Sequence, residues 1–252
     1  MRIPKETFLF FKRKMLETLR QPVWVISGLM TPLLYILLFS PLLKNITQPP
    51  LSTATVLDSF VPGILTILAF GSGTGAGWVI IAELQSGVIE RLRVTPASRF
   101  ALLMGKVITD MIMFLVPAII VIAISAAFGL EVHAGGLALL LLLLCMLTAL
   151  VSACSGSLGL ILKEVGSLAA VITSLTLPLT LLSGALLPIS LGPLWLRVIA
   201  HINPLYYTVE ASRVLSTGTI ANTDVLLAFA VIVPLMALTL WWATSVYRKA
   251  VA

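Results

Sequence analysis

The chain has 252 residues, of which 59% are hydrophobic and 10% are charged, and its mean hydropathy is +1.11. An average soluble domain carries about 25% charged residues, so this chain has too little charge to cover a water-exposed surface. These figures exclude an intrinsically disordered chain and argue against a cytosolic enzyme. Because a spanning helix needs about 20 apolar residues, we predict an all-α polytopic membrane protein.

The first segment, residues 1–21, has an amphipathic pattern that predicts an interfacial helix. Phe8, Phe11 and Met15 fall near one helical face, while Lys12 lies on another. Aromatic residues and cations just before an apolar run are typical of a helix that lies on the inner leaflet. A charged tail that only sets the topology is the alternative.

Six apolar runs are each long enough to cross the hydrocarbon core of a bilayer. They are residues 22–43, 56–82, 102–128, 136–162, 166–188 and 225–247. If the N-terminus lies inside, thirteen Lys and Arg residues fall on the inner side and three on the outer side. Inner loops are enriched in cations, so this bias predicts that both termini are cytoplasmic.

The net charge of +6 comes from 16 Lys and Arg residues against 10 Asp and Glu residues. The cations lie in short stretches between apolar runs, which is the placement that membrane topology requires. We therefore expect no nucleic-acid partner. Cys145 and Cys154 lie nine residues apart in one apolar run, on opposite sides of a helix, and are expected to be packing residues.

Residues 71–77 read GSGTGAG and superficially resemble a phosphate-binding loop. They lie within an apolar run with no preceding strand, which argues against nucleotide binding. Gly73 and Gly77 form a G-x-x-x-G pattern, which favours close packing of two helices. The sequence has no G-x-x-x-x-G-K-[ST] motif, so we expect no ATP hydrolysis by a P-loop in this chain.

Residues 83–99 form a long polar stretch between the second and third apolar runs. Leu84, Val88 and Leu92 repeat at helical spacing, which predicts a short cytoplasmic amphipathic helix. Glu83 and Glu90 are seven residues apart, so on one helix they would lie about 20° apart around the axis. The pattern is equally compatible with a docking surface and with a solvated connector. Pro96 would end the helix soon after Val94.

Residues 189–222 are too apolar for a free loop and too polar for a span. Arg197, His201, Glu210 and Arg213 interrupt the apolar pattern. We predict half-inserted, re-entrant helices on the outer face, where Tyr206 and Tyr207 would lie at the interface. Glu210 and Arg213, three residues apart, are expected to pair.

Chemistry-bearing residues are sparse within the apolar runs. Asp110 lies one turn after Lys106, and we expect these two to form a local pair, with a proton relay as the alternative. His133 and His201 are separated by two spans. We therefore expect no catalytic residue, metal site or cofactor in this chain.

Two stretches resemble a known family of membrane proteins. The first is ELQSGVIERLRVTP at residues 83–96, and the second is LSGALLP at 182–188 followed by Trp195 and by NPLYYTVEASR at 203–213. Together they resemble ABC-2 type transporter permeases, close to the daunorubicin-resistance and nodulation-factor exporter branch. Leu84 and Gln85 depart from the more acidic start that this family usually has near Glu83.

The resemblance implies a half-transporter of the bacterial plasma membrane (the inner membrane). Two permease copies, or one copy and a related permease, would bind two copies of a separate ATPase that holds ATP and Mg, while membrane lipid surrounds the spans. The implied coupling helix carries Glu83, Leu84, Val88, Glu90, Arg91, Leu92 and Arg93. The implied contacts of the first helix with the inner leaflet and the ATPase are Phe8, Phe11, Lys12 and Met15. The implied outer gate comprises Ser183, Gly184, Pro188, Trp195, Asn203, Pro204, Tyr206, Tyr207, Glu210 and Arg213.

The expected function is ATP-driven export of an amphipathic or lipophilic substrate, because a highly charged cargo would need more polar groups than the spans provide. A gradient-driven secondary transporter is the alternative, and it would usually place ionisable residues at mid-membrane. An integral membrane enzyme would need clustered His, Asp or Cys near an interface. A neighbouring reading frame that encodes a P-loop ATPase would favour the exporter over both alternatives.

Overall fold

The computed structural model describes residues 2–19, 23–44, 53–89, 98–130, 133–186, 189 and 192–250. Within these ranges the long regular elements are all helices. In chain order they are α1 Arg2–Leu19, α2 Val23–Lys44, α3 Thr53–Gln85, α4 Arg99–Ala127, α5 Ala134–Leu162, α6 Val165–Leu181, α7 Leu194–Ala200, α8 Pro204–Ser216 and α9 Thr223–Ala250.

Four of these helices are long and apolar enough to cross a membrane, and the protein is a multi-pass membrane protein. Their candidate spans are Phe60–Gln85, Phe100–Ala127, Ala134–Leu162 and Thr223–Lys249. Two shorter apolar stretches, Gly28–Leu38 and Val165–Leu181, lie in α2 and α6. The prediction of an all-α membrane protein is confirmed, whereas the count of six spans stays a prediction.

Helix α5 is the centre of the bundle, since it contacts α3, α4, α6, α8 and α9. Its inner half alternates small residues with Leu and Val, so neighbouring helices approach it on several sides. Helix α6 is packed differently: Leu168 is its one fully buried side chain. The bundle therefore surrounds α5 and leaves α6 at its edge.

Helices α3 and α5 meet along a seam of glycines. A Cβ atom added at Gly73 would lie 2.7 Å from the Val151 Cβ, and one added at Gly77 would lie 2.7 Å from the Ser155 carbonyl oxygen. A Cβ at Gly159 would in turn lie 2.7 Å from the Gly77 carbonyl oxygen. These glycines let the two backbones come into direct contact, and the structure thus places Gly73 and Gly77 at a helix–helix interface.

Polar side chains of α5 bond to the backbone of α3 along the same seam. The Ser155 hydroxyl donates to the Thr74 carbonyl at 2.7 Å and accepts from the Gly77 N–H at 3.1 Å. The Thr148 hydroxyl lies 3.2 Å from the Ala69 carbonyl. Hydroxyl bonds between membrane helices contribute about 0.6 kcal/mol on average. They fix the rotation of α5 relative to α3 as well as its distance.

The apolar core of the described residues has two parts. One contains Phe60, Phe114, Leu144 and other residues of α3, α4, α5, α8 and α9. The other contains Ile80, Leu103 and Tyr247, with Phe10 of α1 packed against it. We call the end with the second part the inner end, following the orientation that the cation count predicts.

The region after α6 departs from the predicted fifth span, which was placed at 166–188. Helix α6 ends at Leu181, and residues 182–186 form a turn in which Gly184 has a φ of 74°. A left-handed φ ends a helix, so this prediction is wrong at its outer end. The predicted outer segment contains α7 and α8, divided before Pro204. Whether these helices enter the membrane stays a prediction.

The seam predicts a difference between two glycines on one helix. Gly77→Ala should destabilise the protein by about 1–3 kcal/mol because its Cβ overlaps α5. Gly75→Ala is the matched control, since a Cβ at Gly75 meets no atom within 4 Å. Thermal unfolding of the detergent-solubilised variants would measure both. Equal melting temperatures for the two variants would contradict the close contact.

Candidate functional site

The polar stretch at residues 83–99 begins inside α3, not in a separate helix. Helix α3 continues through Glu83 and Leu84 to Gln85, and a turn follows at Ser86 and Gly87, where Gly87 has a φ of 69°. One uninterrupted helix over 83–94 is therefore a wrong prediction, because the helix that contains Glu83 ends at Gln85. The predicted coupling residues Glu90, Arg91, Leu92 and Arg93 lie outside the described residues.

Glu83 lies between two lysines from other helices. Its Oε2 accepts from the Nζ of Lys106 in α4, and its Oε1 lies 3.3 Å from the Nζ of Lys14 in α1. The three side chains are only 12–16% exposed. We call Lys14, Glu83 and Lys106 the inner ion cluster. It joins the inner ends of α1, α3 and α4.

The cluster differs from the local pair that the sequence favoured. Lys106 was expected to pair with Asp110, and instead it reaches back to Glu83. Asp110 accepts a hydrogen bond from the Ser152 hydroxyl of α5. Lys14 also lies 3.2 Å from Glu17, so the two cations have two carboxylates near them. Buried charges are tolerated when they are paired in this way.

Helix α1 is attached to the bundle at two further points. The Glu6 carboxylate accepts from the Ser98 N–H, just before α4, at 2.9 Å. Phe10 packs on Gly105, where an added Cβ would lie 2.8 Å from the Phe10 Cβ. Together with Lys14, these contacts run along one face of α1 at helical spacing.

The residues predicted to contact the inner leaflet and the ATPase do not include those that attach α1 to the bundle, and their predicted contacts stay a prediction. Phe8 is 60% exposed and Lys12 is exposed, whereas Phe11 and Met15 are half-buried. Phe10 and Lys14 are the residues that sequence reasoning missed. Phe10 and Lys14 are four residues apart, which is visible in the sequence. Lys14 is mostly buried because it pairs with Glu83, which is 69 residues away and cannot be recognised from α1 alone.

The other described residues of the predicted coupling set also face the bundle. Leu84 packs against the inner part of the core. Val88 lines a small cavity that Phe10 and the inner ion cluster share. The part of this segment that the structure describes thus connects α3 to α1 and α4.

A second polar constellation holds the turn at residues 182–186, which we call the outer turn. Asn203 donates from Nδ2 to the Leu179 carbonyl at 2.7 Å, and its Oδ1 accepts from the Leu205 N–H at 3.0 Å. It therefore caps the end of α6 and the start of α8 at once. Pro204, which follows it, suits the first helical position because that position needs no N–H donor.

Arg213 holds the same turn from the other end of α8. Its Nη2 donates to the Gly184 carbonyl at 2.6 Å, and its Nη1 lies 2.9 Å from the Glu210 carboxylate. The predicted pair of Glu210 and Arg213 is confirmed. Ser183 completes the turn, since its hydroxyl donates to Thr180 and accepts from the Ala185 N–H.

The outer turn lies directly against α3. The Ala185 carbonyl sits where a Cβ of Gly63 would be, so only glycine fits at that position of α3. The Ser216 hydroxyl, at the end of α8, lies 3.4 Å from the Asp58 carbonyl of α3. Sequence reasoning missed Gly63, because a single glycine within an apolar run gives no sign of its neighbour.

The aromatic residues of the predicted gate lie beside this constellation. The His201 and Tyr206 rings are 4.9 Å apart, the Tyr206 and Tyr207 rings 5.5 Å, and the Tyr207 hydroxyl donates to the His201 carbonyl at 2.9 Å. Burial raises the pKa of Tyr206, and nearby Glu210 acts in the same direction, so this phenol stays neutral. Trp195 on α7 is 62% exposed and lies apart from the group.

Of the predicted gate residues that the structure describes, all but Trp195 fall into two groups. Ser183, Gly184, Asn203, Glu210 and Arg213 meet around the outer turn, with Pro204 at the start of α8. Tyr206 and Tyr207 form the neighbouring aromatic group. Pro188 lies outside the described residues.

In the described part of the chain, no three His, Cys, Asp or Glu side chains are close enough to hold a metal ion.

Comparison with known proteins identifies the family. The model of the ABC-2 type transporter family matches residues 5–216, which include the inner ion cluster and the outer turn. The chain belongs to the ABC-2 type transporter family. A transport permease named ycf38 from Cyanophora paradoxa is 30% identical over 217 residues, which are 84% of this chain and 74% of that protein.

Two further relatives are also named as permeases. The ycf38 permease of Porphyra purpurea is 26% identical over 86% of this chain and 76% of that protein. The daunorubicin resistance ABC transporter permease protein DrrB1 of Streptomyces coeruleorubidus is 24% identical over 94% of this chain and 84% of that protein. The family match and the named relatives thus support a transport permease. The resemblance to ABC-2 type permeases that the sequence suggested is confirmed.

The inner ion cluster predicts that Glu83 matters far more than another carboxylate near the same lysine. Glu83→Gln leaves two buried lysines without a shared counter-ion, and breaking a buried pair costs about 3–5 kcal/mol. Glu17→Gln is the matched control, because Glu17 also contacts Lys14 but is 52% exposed and should cost under about 1 kcal/mol. Thermal unfolding in detergent measures both variants. Similar losses would show that the cluster does not hold the inner end together.

The double cap predicts a graded series at Asn203. Asn203→Ser keeps the cap of α8 and loses the bond to Leu179, at a cost of about 1 kcal/mol. Asn203→Ala loses both, and should cost about 2 kcal/mol. Melting temperatures of the two variants and the wild type would give the order. A serine variant as unstable as the alanine variant would contradict the capping of α8.

Proposed function

We propose that this chain is the membrane permease of an ATP-binding cassette exporter. Two copies, or one copy and a related permease, work with two copies of a separate ATPase that holds ATP and Mg. Membership of the ABC-2 family and the daunorubicin resistance relative support this assignment. The protein then lies in a bacterial plasma membrane with both termini in the cytoplasm, as the cation count favours.

The observation that carries the proposal is the attachment of three inner helix ends to each other. The inner ion cluster joins α1, α3 and α4, and α3 leads directly into the polar segment that ends before α4. A push on this segment from an ATPase would therefore move the three helices as one unit. The segment 83–99 is the proposed coupling element, and the exposed face of α1 with Phe8 and Lys12 is the proposed second contact.

The outer turn is the proposed gate at the opposite end. Arg213 ties α8 to the turn after α6, Asn203 ties the start of α8 to the last turn of α6, and the outer turn rests on Gly63 of α3. A movement of α3 that starts at Glu83 would thus reach the outer turn through a single helix. A helix such as α3, which is packed against partners at both ends, is the kind of element that can have two discrete arrangements.

A groove between α2, α3 and α4 supports a lipophilic substrate. It encloses about 340 Å³, and its walls include Ile64, Leu68 and Pro117. Gly28, Gly71 and Gly75 leave open space beside it, since a Cβ at any of them meets no atom within 4 Å. Thr31, Tyr35 and Ser72 add a few polar groups. Apolar walls with few polar groups are typical of sites for amphipathic molecules.

The edge position of α6 supports a second permease copy. Leu175, Leu177 and Leu181 are each more than half exposed on this helix. Thr180 and Thr176 use their hydroxyls within the helix, so they leave an apolar surface for a helix partner. We propose that α6 contributes to the interface between the two permeases.

Reconstitution tests the exporter against a gradient-driven transporter. The permease is co-expressed with the P-loop ATPase of the neighbouring reading frame, purified through a tag on the permease, and placed in proteoliposomes with a fluorescent lipophilic amine. We expect the ATPase to co-purify, and transport to need ATP and to persist after ionophores collapse the ion gradients. Transport that stops with ionophores and ignores ATP would reject the proposal.

Charge reversal tests the proposed coupling segment. Glu90→Lys should weaken binding of the ATPase by about a hundredfold and thereby lower the permease-stimulated ATPase rate, because like charges at an interface can cost several kcal/mol. Glu164→Lys is the control: it is an exposed carboxylate in the short loop between α5 and α6, on the same predicted side. Wild-type stimulation by Glu90→Lys would mean that residues 83–99 are only a connector.

A further inference from the structure

A cleft outside the proposed transport path lies at the inner ends of α4 and α9. It encloses about 400 Å³. Phe100 forms one wall, and one face of α9 forms the other with Leu240, Trp241, Thr244, Ser245 and Arg248. Neither the inner ion cluster nor the outer turn contributes to it.

The lining changes in polarity along α9. Leu240 and Trp241 form the apolar end, Thr244 and Ser245 follow one turn later, and Arg248 closes the cleft after another turn. At 1.5 Å per residue, Trp241 and Arg248 are about 10 Å apart along the helix axis. The order of apolar and cationic groups matches the order of acyl chain and phosphate in a phospholipid. Between them lie Thr244 and Ser245, whose hydroxyls donate to the backbone of α9 and remain acceptors only.

Charge selects the head group. Among the described residues no carboxylate lies within ion-pair distance of Arg248. Its side chain is exposed in the last turn of α9, at the inner end of the cleft. A guanidinium binds phosphate with two parallel hydrogen bonds. The inner end of this cleft is therefore complementary to an anion.

We propose that this cleft is a binding site for an anionic phospholipid of the inner leaflet. The phosphate binds Arg248, the ester region lies beside Thr244 and Ser245, and an acyl chain packs between Phe100 and Trp241. Because α4 also carries Lys106, such a lipid would contact the helix that the inner ion cluster holds. The site is distinct from the substrate groove between α2, α3 and α4.

Fluorescence quenching tests the site through Trp241. Trp24, Trp78, Trp195 and Trp242 are replaced by Phe, and the protein is placed in nanodiscs that contain brominated phosphatidylglycerol or brominated phosphatidylcholine. We expect phosphatidylglycerol to quench Trp241 at an about fivefold lower mole fraction, which corresponds to the ~1 kcal/mol that one cation near the surface contributes. Arg248→Gln should abolish this preference. Lys249→Gln is the matched control, because Lys249 has the same charge and does not line the cleft, and it should keep most of the preference.

Native mass spectrometry provides a second measurement on the chain with all its tryptophans. The wild type and Lys249→Gln should retain phosphatidylglycerol after detergent exchange, and Arg248→Gln should lose it. Equal quenching by both lipids, or equal losses in the two variants, would reject a specific site. If Arg248→Gln instead releases the ATPase or the second permease while lipid preference is unchanged, the cleft is a protein interface and the proposal fails.

Discussion

Two lysines and a glutamate at the inner end of the bundle can leave water only together. Lys14, Glu83 and Lys106 come from three helices, and each would be costly to bury alone. Their pairing helps to determine where α1 lies, because Lys14 of α1 is mostly buried and lies 3.3 Å from Glu83 of α3. The same pairing stabilises the last turn of α3, which continues to Gln85 and places Glu83 between its two partners.

Close backbone contact supplies the complementary constraint away from the charges. The glycine seam of Gly73, Gly77 and Gly159 brings α3 against α5, and Gly63 admits the outer turn against the same helix. Helix α3 therefore touches the ion cluster at one end, α5 in the middle and the outer turn near the other end. In a membrane, where helices gain little from burying apolar surface against each other, such contacts decide the packing.

The sequence predicted what depends on local pattern and missed what depends on distant partners. Apolar length located the long helices to within a few residues, and the spacing of Glu210 and Arg213 predicted their pair correctly. The turn at Gly87 and the end of α6 at Leu181 were missed, because the apolar or amphipathic pattern continues through both positions. The role of Lys14 could not be read from α1, because its partner Glu83 belongs to another helix.

We propose that the inner ends of α1, α3 and α4, joined by the inner ion cluster, would move as one unit if a partner ATPase acts on them. A disulfide between Phe10→Cys and Gly105→Cys, in a chain with Cys145 and Cys154 replaced by Ala, tests it most directly. A Cβ added at Gly105 would lie 2.8 Å from the Phe10 Cβ, so a shift of about 1 Å would give disulfide geometry. The account predicts that ATP-driven transport in proteoliposomes is the same with the disulfide oxidised or reduced. Transport that stops on oxidation and returns on reduction would show that α1 slides along α4, and would contradict the account.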